Sequence, residues 1–240
     1  MKKLLIVLLL AAGIAGTGQA QSLLNNLKKK VTGSSGSSLS SDDIVNGLKQ
    51  ALTLGAQKSA DKLSAADGFF KDAVVKILLP PQAQNAEKTL RNLGMGQLVD
   101  NAILSMNRAA EDASKSAAPI FVNAIKGMSV QDGLGILRGA DTAATGYLRK
   151  STSPQLTTAF HPVIDSSLQK TGATKYWKDV FETYNKLPTT FKKVNPDLSG
   201  YVTQKAMDGI FYYVAQEEKQ IRKDPAAQVT DLLKKVFGGN

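Results

Sequence analysis

From residue 42 onward apolar side chains return every three or four positions, and that beat confines the chain to helices packed against helices. Ile44, Leu48, Leu52 and Ala56 set it, behind Ser41 and Asp42 as expected N-caps. A helix over residues 82–93 should stop at Gly94, because glycine tolerates the left-handed backbone that follows a helix. The next, over 97–117, reads as the longest and the richest in alanine. Its stripe of Val99, Ala102, Met106, Ala110, Ala113 and Ala117 is small enough for a neighbouring helix to come close. Pro119 opens the following helix, Ser129-Val130-Gln131-Asp132 has the form of a capping box, and Ser153-Pro154 signals a further start. Trp177, Val180, Phe181, Tyr184 and Leu187 form an aromatic stripe suited to a core. After a loop over 188–196, a helix of about twenty residues starts at Leu198. A short closing helix after Asp224-Pro225 carries Val229, Leu232, Leu233 and Val236.

One run breaks the pattern. Residues 73–79 read as extended and are stopped by Pro80-Pro81, since the residue before proline is pushed out of the α region. A lone strand cannot make a sheet, so this run should be a covering arm, entered through a turn at Asp67-Gly68. The fold class that follows is all-α: a single compact multi-helix domain over 42–240 with one short extended arm. Asp67-Gly68-Phe69-Phe70 and Asp208-Gly209-Ile210-Phe211 echo each other, but one four-residue echo is not a repeat.

Ahead of that domain, residues 1–20 have the form of a secretory signal peptide. Met1-Lys2-Lys3 is its positive start, residues 4–16 are its apolar run, and Gly18-Gln19-Ala20 offers a cleavage site before Gln21. The apolar run is shorter than the ~20 residues that span a bilayer, and an uncleaved anchor is the competing reading. Residues 21–41 look like a tether. Leu23, Leu24 and Leu27 ahead of Lys28-Lys29-Lys30 could form a basic amphipathic helix giving peripheral membrane contact through 23–30; a frayed start to the mature chain is the plainer reading. Gly33-Ser34-Ser35-Gly36-Ser37-Ser38 is a flexible linker. Export to the periplasm is the expected destination.

The catalytic vocabulary is thin. The chain has no cysteine, which excludes thiolate metal sites, thiol nucleophiles, disulfides and a lipid-bearing cysteine. Its one histidine, His161 before Pro162, reads as a capping or surface residue near a helix end, and several-histidine zinc sites are excluded. No cofactor or metal is expected. Ser59-Ala60-Asp61-Lys62 and Lys170-Thr171-Gly172 match elements of penicillin-recognising enzymes, but the element between them is missing and Gly172 reads as a helix terminator. The formal charge of +10 is dispersed over Lys28-Lys29-Lys30, Lys192-Lys193 and Lys234-Lys235 rather than gathered on one face. With an export signal, that argues against nucleic acid and for an anionic lipid, lipopolysaccharide or another acidic envelope polymer wherever the charge matters.

Two polar groupings stand out. Arg108 and Glu111, spaced i, i+3, can pair along one helix face, expected to be a solvated face opposite Met106. Glu217 falls on the apolar stripe of Ile210, Val214 and Ile221, whereas Glu218 is placed to pair outward with Arg222. A carboxylate facing a core must be paired or neutral, with Arg108, Arg138 and Arg149 as candidate partners of Glu217.

These residues resemble a bacterial family known as domain of unknown function 4197, collinear over about 41–237. The segments that carry the likeness are Gly68-Phe69, the arm to Pro80, Asn107-Arg108-Ala109-Ala110-Glu111, Ile136-Leu137-Arg138-Gly139 and Asp141-Thr142-Ala143-Ala144-Thr145. Tyr184-Asn185, Glu217-Glu218-x-x-Ile221-Arg222 and Leu232-Leu233-Lys234-Lys235-Val236-Phe237 follow in order. Gly146 departs from the bulkier residue of the family pattern, which argues against a side-chain role there. The resemblance implies an exported, largely helical envelope protein of Gram-negative bacteria, and it implies no reaction. It also groups Arg108, Glu111, Asp141, Thr145, Asn185, Glu217 and Arg222 as one candidate polar cluster, either structural or ligand-binding.

The expected function is therefore non-enzymatic binding of an envelope protein or of an apolar or anionic envelope ligand. The alternatives are a carboxylate-dependent, hydrolase-like enzyme using Glu111 or Glu217, and a purely structural envelope protein. Oligomeric state stays open.

Overall fold

The apolar beat becomes a set of helices whose stripes meet in a common core. The computed structural model describes residues 40–174, 177, 178, 193, 195 and 197–223, with the side chains of 89 and 90 left aside. Helix α1 is Ser41–Ser64; a single 3-10 turn, Pro81–Ala83, leads into α2, Gln84–Asn92. Then come α3 (Gly96–Ser114), α4 (Ala117–Lys126), α5 (Val130–Arg138), α6 (Ala143–Lys170) and α7 (Leu198–Lys223). Among the described residues there is no strand, and the all-α expectation holds. The signal-peptide and tether segments, the aromatic stripe beyond Trp177, Asn185 and the closing helix lie outside the described residues.

Several boundaries follow the local chemistry read from sequence. Gly94 and Gly172 end α2 and α6 with φ of +79° and +72°. Ser129 and Asp132 close a reciprocal capping box at the start of α5. Pro119 sits in the first turn of α4, where its missing N–H costs nothing. Helix α1 begins at Ser41 itself, so Ser41 and Asp42 open its first turn rather than capping it.

Two expectations are corrected. The alanine-rich helix is not the longest: α3 stops at Ser114 after 19 residues, whereas α6 runs for 28. The reason is the second correction, that Ser153-Pro154 starts nothing. Pro154 and Pro162 both lie inside α6, and His161 is an exposed mid-helix residue. Hydroxyl side chains supply hydrogen bonds around the first proline: Thr152 donates to the Leu148 carbonyl at 2.6 Å, Ser153 to Arg149 at 2.6 Å and Thr157 to Ser153 at 2.9 Å.

Tertiary burial then holds α6 in one piece. Ala144, Leu148, Thr152, Leu156, Phe160, Ile164 and Leu168 are all buried at strict four-residue spacing. A repeat of four gains about 40° per step on a helix with 3.6 residues per turn, so this stripe winds around α6 and meets different neighbours along its length. Helices α3, α4, α5 and α7 all pack on it. Phe121 of α4 meets Phe211 of α7 edge to face at 5.7 Å between ring centres.

The arm is present and narrower than expected: residues 73–75 turn, and 76–80 run on without helix to an extended Pro80. It lies between α3 and α7. Side chains replace the missing partner strand: the Ile77 N–H donates to Asn107 Oδ1 at 2.9 Å, and Asn107 Nδ2 donates to the Ile77 carbonyl at 2.8 Å. Tyr201 Oη closes the far end on the Leu78 carbonyl at 2.9 Å. At the near end Phe69 is buried against Gly209, where a Cβ would stand 2.6 Å from the ring. The two echoing sequences thus touch each other in space, although they form no repeat.

Candidate functional site

The expected polar cluster divides in two. The first part sits where the chain leaves α1. Asp67, at φ +67°, turns the chain so that the N–H groups of Phe69 and Phe70 point at α3, and both donate to Glu111 Oε1 at 3.1 Å. Arg108 pairs with Glu111 Oε2 at 2.6 Å and with Asp67 Oδ1 at 2.6 Å, while Lys71 holds the other oxygen of Asp67 at 2.8 Å. The i, i+3 pairing of Arg108 and Glu111 is as expected, but the solvated face is not: the Glu111 side chain is only 5 % exposed. Burial is tolerated because two amides and a guanidinium satisfy the carboxylate. Hydrogen bonds from Lys71 and Arg108 hold the Asp67 carboxyl below its ordinary value, and those to Glu111 and Asp67 push the Arg108 guanidinium further up.

Next to it, Asp72 caps the following turn through the N–H groups of Val74 and Val75 at 2.9 and 3.2 Å. Tyr213 donates to its second oxygen, and Lys62 approaches the same atom at 3.5 Å while lying over the Tyr213 ring. Burial raises the Asp72 carboxyl, but the bonds from Tyr213, Val74 and Val75 and the charge of Lys62 outweigh it, and the net shift is downward.

The second part contains the error in the sequence reading. Glu218, not Glu217, is the buried carboxylate of α7. It accepts from the N–H of Ala144 at 2.9 Å, the N–H of Thr145 at 2.8 Å and the Thr145 hydroxyl at 2.8 Å. Arg222 completes it at 2.9 Å and reaches on to the Ile136 carbonyl at 2.8 Å. Thr142 makes no side-chain cap of its own, so a carboxylate from α7 caps α6 and meets the positive end of its dipole.

Glu217 is displaced by one residue, about 100° of rotation, and stands partly exposed with Lys58 Nζ 3.8 Å from Oε2. None of the arginines expected for it takes part: Arg108 belongs to Glu111, Arg149 faces Asp208 at 3.7 Å, and Arg138 is exposed. Its Cβ instead packs against Gly55 of α1, where an added Cβ would lie 3.2 Å away. Asp141 is exposed two residues before α6 and joins neither part. Thr145 and Arg222 do join, around Glu218. The signal missed in the sequence was Thr142-Ala143-Ala144-Thr145, a helix start whose N-cap makes no side-chain cap hydrogen bond of its own.

Both parts are closed. Their carboxylate oxygens are directed at amides, hydroxyls or cations of the protein itself. Ser59, of the rejected S-x-x-K match, likewise spends its hydroxyl on the Gly55 carbonyl at 2.8 Å. Among the described residues, no group of three or more histidine and acidic side chains could hold a metal ion, and no helix is long and apolar enough to cross a membrane.

An open feature lies elsewhere among the described residues, beside the arm. Leu79 of the arm, Ala86 of α2, Leu98, Val99 and Ala102 of α3, and Trp177 line a groove of about 180 Å³. Its lining is almost wholly apolar, with Glu87, Asn101, Ser105 and Thr171 as its polar members. Arg91 binds Glu87 at 2.9 Å and Asp100 at 2.8 Å, which offsets one of the two negative charges beside it. Leu98 is 42 % exposed on the rim, and Leu93 and Met95 in the α2–α3 corner are exposed at 70 % and 45 %.

A family described as "Protein of unknown function (DUF4197)" matches residues 38–238, and the chain belongs to that family. No curated protein and no solved structure matches it.

Proposed function

We propose that this DUF4197 protein is exported to the periplasm, where it acts without catalysis by holding an apolar envelope molecule in the groove between α2, α3 and the arm. The observation that carries the reading is the groove itself, an open apolar hollow with leucine on its rim. Hollows lined mainly by apolar side chains with a few polar groups are the usual form of a binding site for a small apolar group. A cavity near this size accepts a group about as large as a benzene ring, so the groove suits a short apolar stretch or the end of an acyl chain. Export is supported by the charged start, apolar run and small-residue site within residues 1–20. The carboxylate-enzyme reading has less to stand on. Glu111 is committed to two amides and Arg108, and neither it nor Glu217 lines the groove.

Native mass spectrometry of protein recovered from the periplasm tests the proposal. The expected result is a mass adduct that dissociates on denaturation, is lost in Ala102→Phe, which fills the groove from α3, and is weakened in Leu98→Ser. A bare wild-type protein, or an adduct indifferent to both substitutions, would refute it.

A further inference from the structure

The arm carries a second surface, independent of the groove. Between Val74 and Leu78 burial alternates: Val75 and Ile77 are buried, Val74 and Leu78 are exposed, and Lys76 between them is half-buried. Val74 is 61 % exposed and Leu78 55 %, on backbone pinned by Asp72, Asn107 and Tyr201. These aliphatic side chains therefore stand out from a backbone anchored at three points. The charge around them is positive. The Lys71 side chain shares Asp67 with Arg108 and is still 74 % exposed, Lys76 lies over Phe70 at 4.2 Å, and Lys205 lies over Tyr201 at 6.0 Å. The neighbouring acids point inward: Asp72 is 15 % exposed and bound to Tyr213, and Asp67 is 26 % exposed and bound to Arg108.

We propose that the row Val74, Lys76 and Leu78, with Lys71 and Lys205 beside it, docks this protein peripherally on a lipid surface bearing anionic headgroups. Lysines meet the headgroup charge while the two aliphatic side chains enter the acyl boundary. A second copy of the chain is a poorer occupant. Two aliphatic side chains and a few lysines fall far short of the ~1,000 Å² that a stable protein interface buries. A bilayer needs no matching surface, and a few aliphatic and basic groups give weak, reversible attachment.

The test is sedimentation of protein recovered from the periplasm with phosphatidylglycerol-containing vesicles and with pure phosphatidylcholine vesicles. We expect partitioning onto the anionic vesicles alone, falling as salt rises. V74S/L78S should lower the partition coefficient roughly ten-fold with unchanged thermal unfolding, because both side chains are exposed in the folded protein. The segment 21–30 is present in every sample, so only the difference made by the arm counts. A102F should partition like the unaltered chain, which separates this surface from the groove. Equal partitioning of V74S/L78S, or none by the unaltered chain, overturns the proposal. So does a concentration-dependent dimer that V74S/L78S abolishes, since it would assign the row to self-association.

Discussion

Replacing Glu218 by glutamine keeps the shape of the side chain and removes one charge and one acceptor, which makes it the sharpest probe of how α6 is held. In the folded protein two backbone N–H groups, one hydroxyl and the Arg222 guanidinium converge on this carboxylate. The best placement of the new amide leaves its oxygen toward Ala144 and Arg222, where Glu218 Oε1 stands now. Its NH₂ then faces the Thr145 N–H, donor against donor. The Thr145 hydroxyl can rotate to accept, so one buried N–H is orphaned, at a cost of about 1–3 kcal/mol. Arg222, 14 % exposed, loses its counter-charge, and the charge-assisted bond it made adds about 1–2 kcal/mol. The sum is about 3 kcal/mol, a fall of roughly 6–12 °C in Tm for a domain of this size. Glu217→Gln is the control. Its Oε2 is buried without a hydrogen bond among the described residues and has Lys58, 58 % exposed, at 3.8 Å, so the change should cost less than about 1 kcal/mol. Thermal unfolding of both variants, followed by far-UV circular dichroism, decides between them. If Glu217→Gln were as damaging as Glu218→Gln, the assignment of the buried carboxylate would be wrong.

Two further outcomes follow from the packing. Gly209→Ala should destabilise by about 2 kcal/mol in urea denaturation, because its Cβ would meet the buried Phe69 ring at 2.6 Å. Gly146→Ala, whose Cβ meets nothing within 4 Å inside α6, should instead stabilise by about 0.5–1 kcal/mol. The third concerns pH. The Asp72 carboxyl titrates below its ordinary value when folded, so its contribution is fully present above the unfolded value of about 3.9 and is lost as pH falls through the lower folded value. Acid unfolding curves of Asp72→Asn should therefore converge toward the unaltered protein at the acid end, and a gap that persists or widens there would refute the linkage.

What the sequence by itself determined is what lies within a turn or two of chain. The glycine stops, the α5 capping box, the arm before its prolines and the i, i+3 pairing of Arg108 with Glu111 all rest on residues a few positions apart. The Glu218–Arg222 pair was legible for the same reason, at i+4. Tertiary structure decided which side of each pair faces inward. Adjacent glutamates differ by about 100° around a helix, and α7 is buried widely enough that its apolar spacing fits either as the inward one. The choice went to Glu218 because it meets the amides of Ala144 and Thr145, more than seventy positions earlier in the chain. Glu111 went inward for the same reason, since the Phe69 and Phe70 amides come from across the core. Pro154 shows the converse: its local signal to start a helix was overridden because the buried stripe of α6 continues on both sides of it. The groove was equally unreadable, for its walls come from the arm, α2, α3 and Trp177, and no spacing within one helix encodes a hollow shared among several.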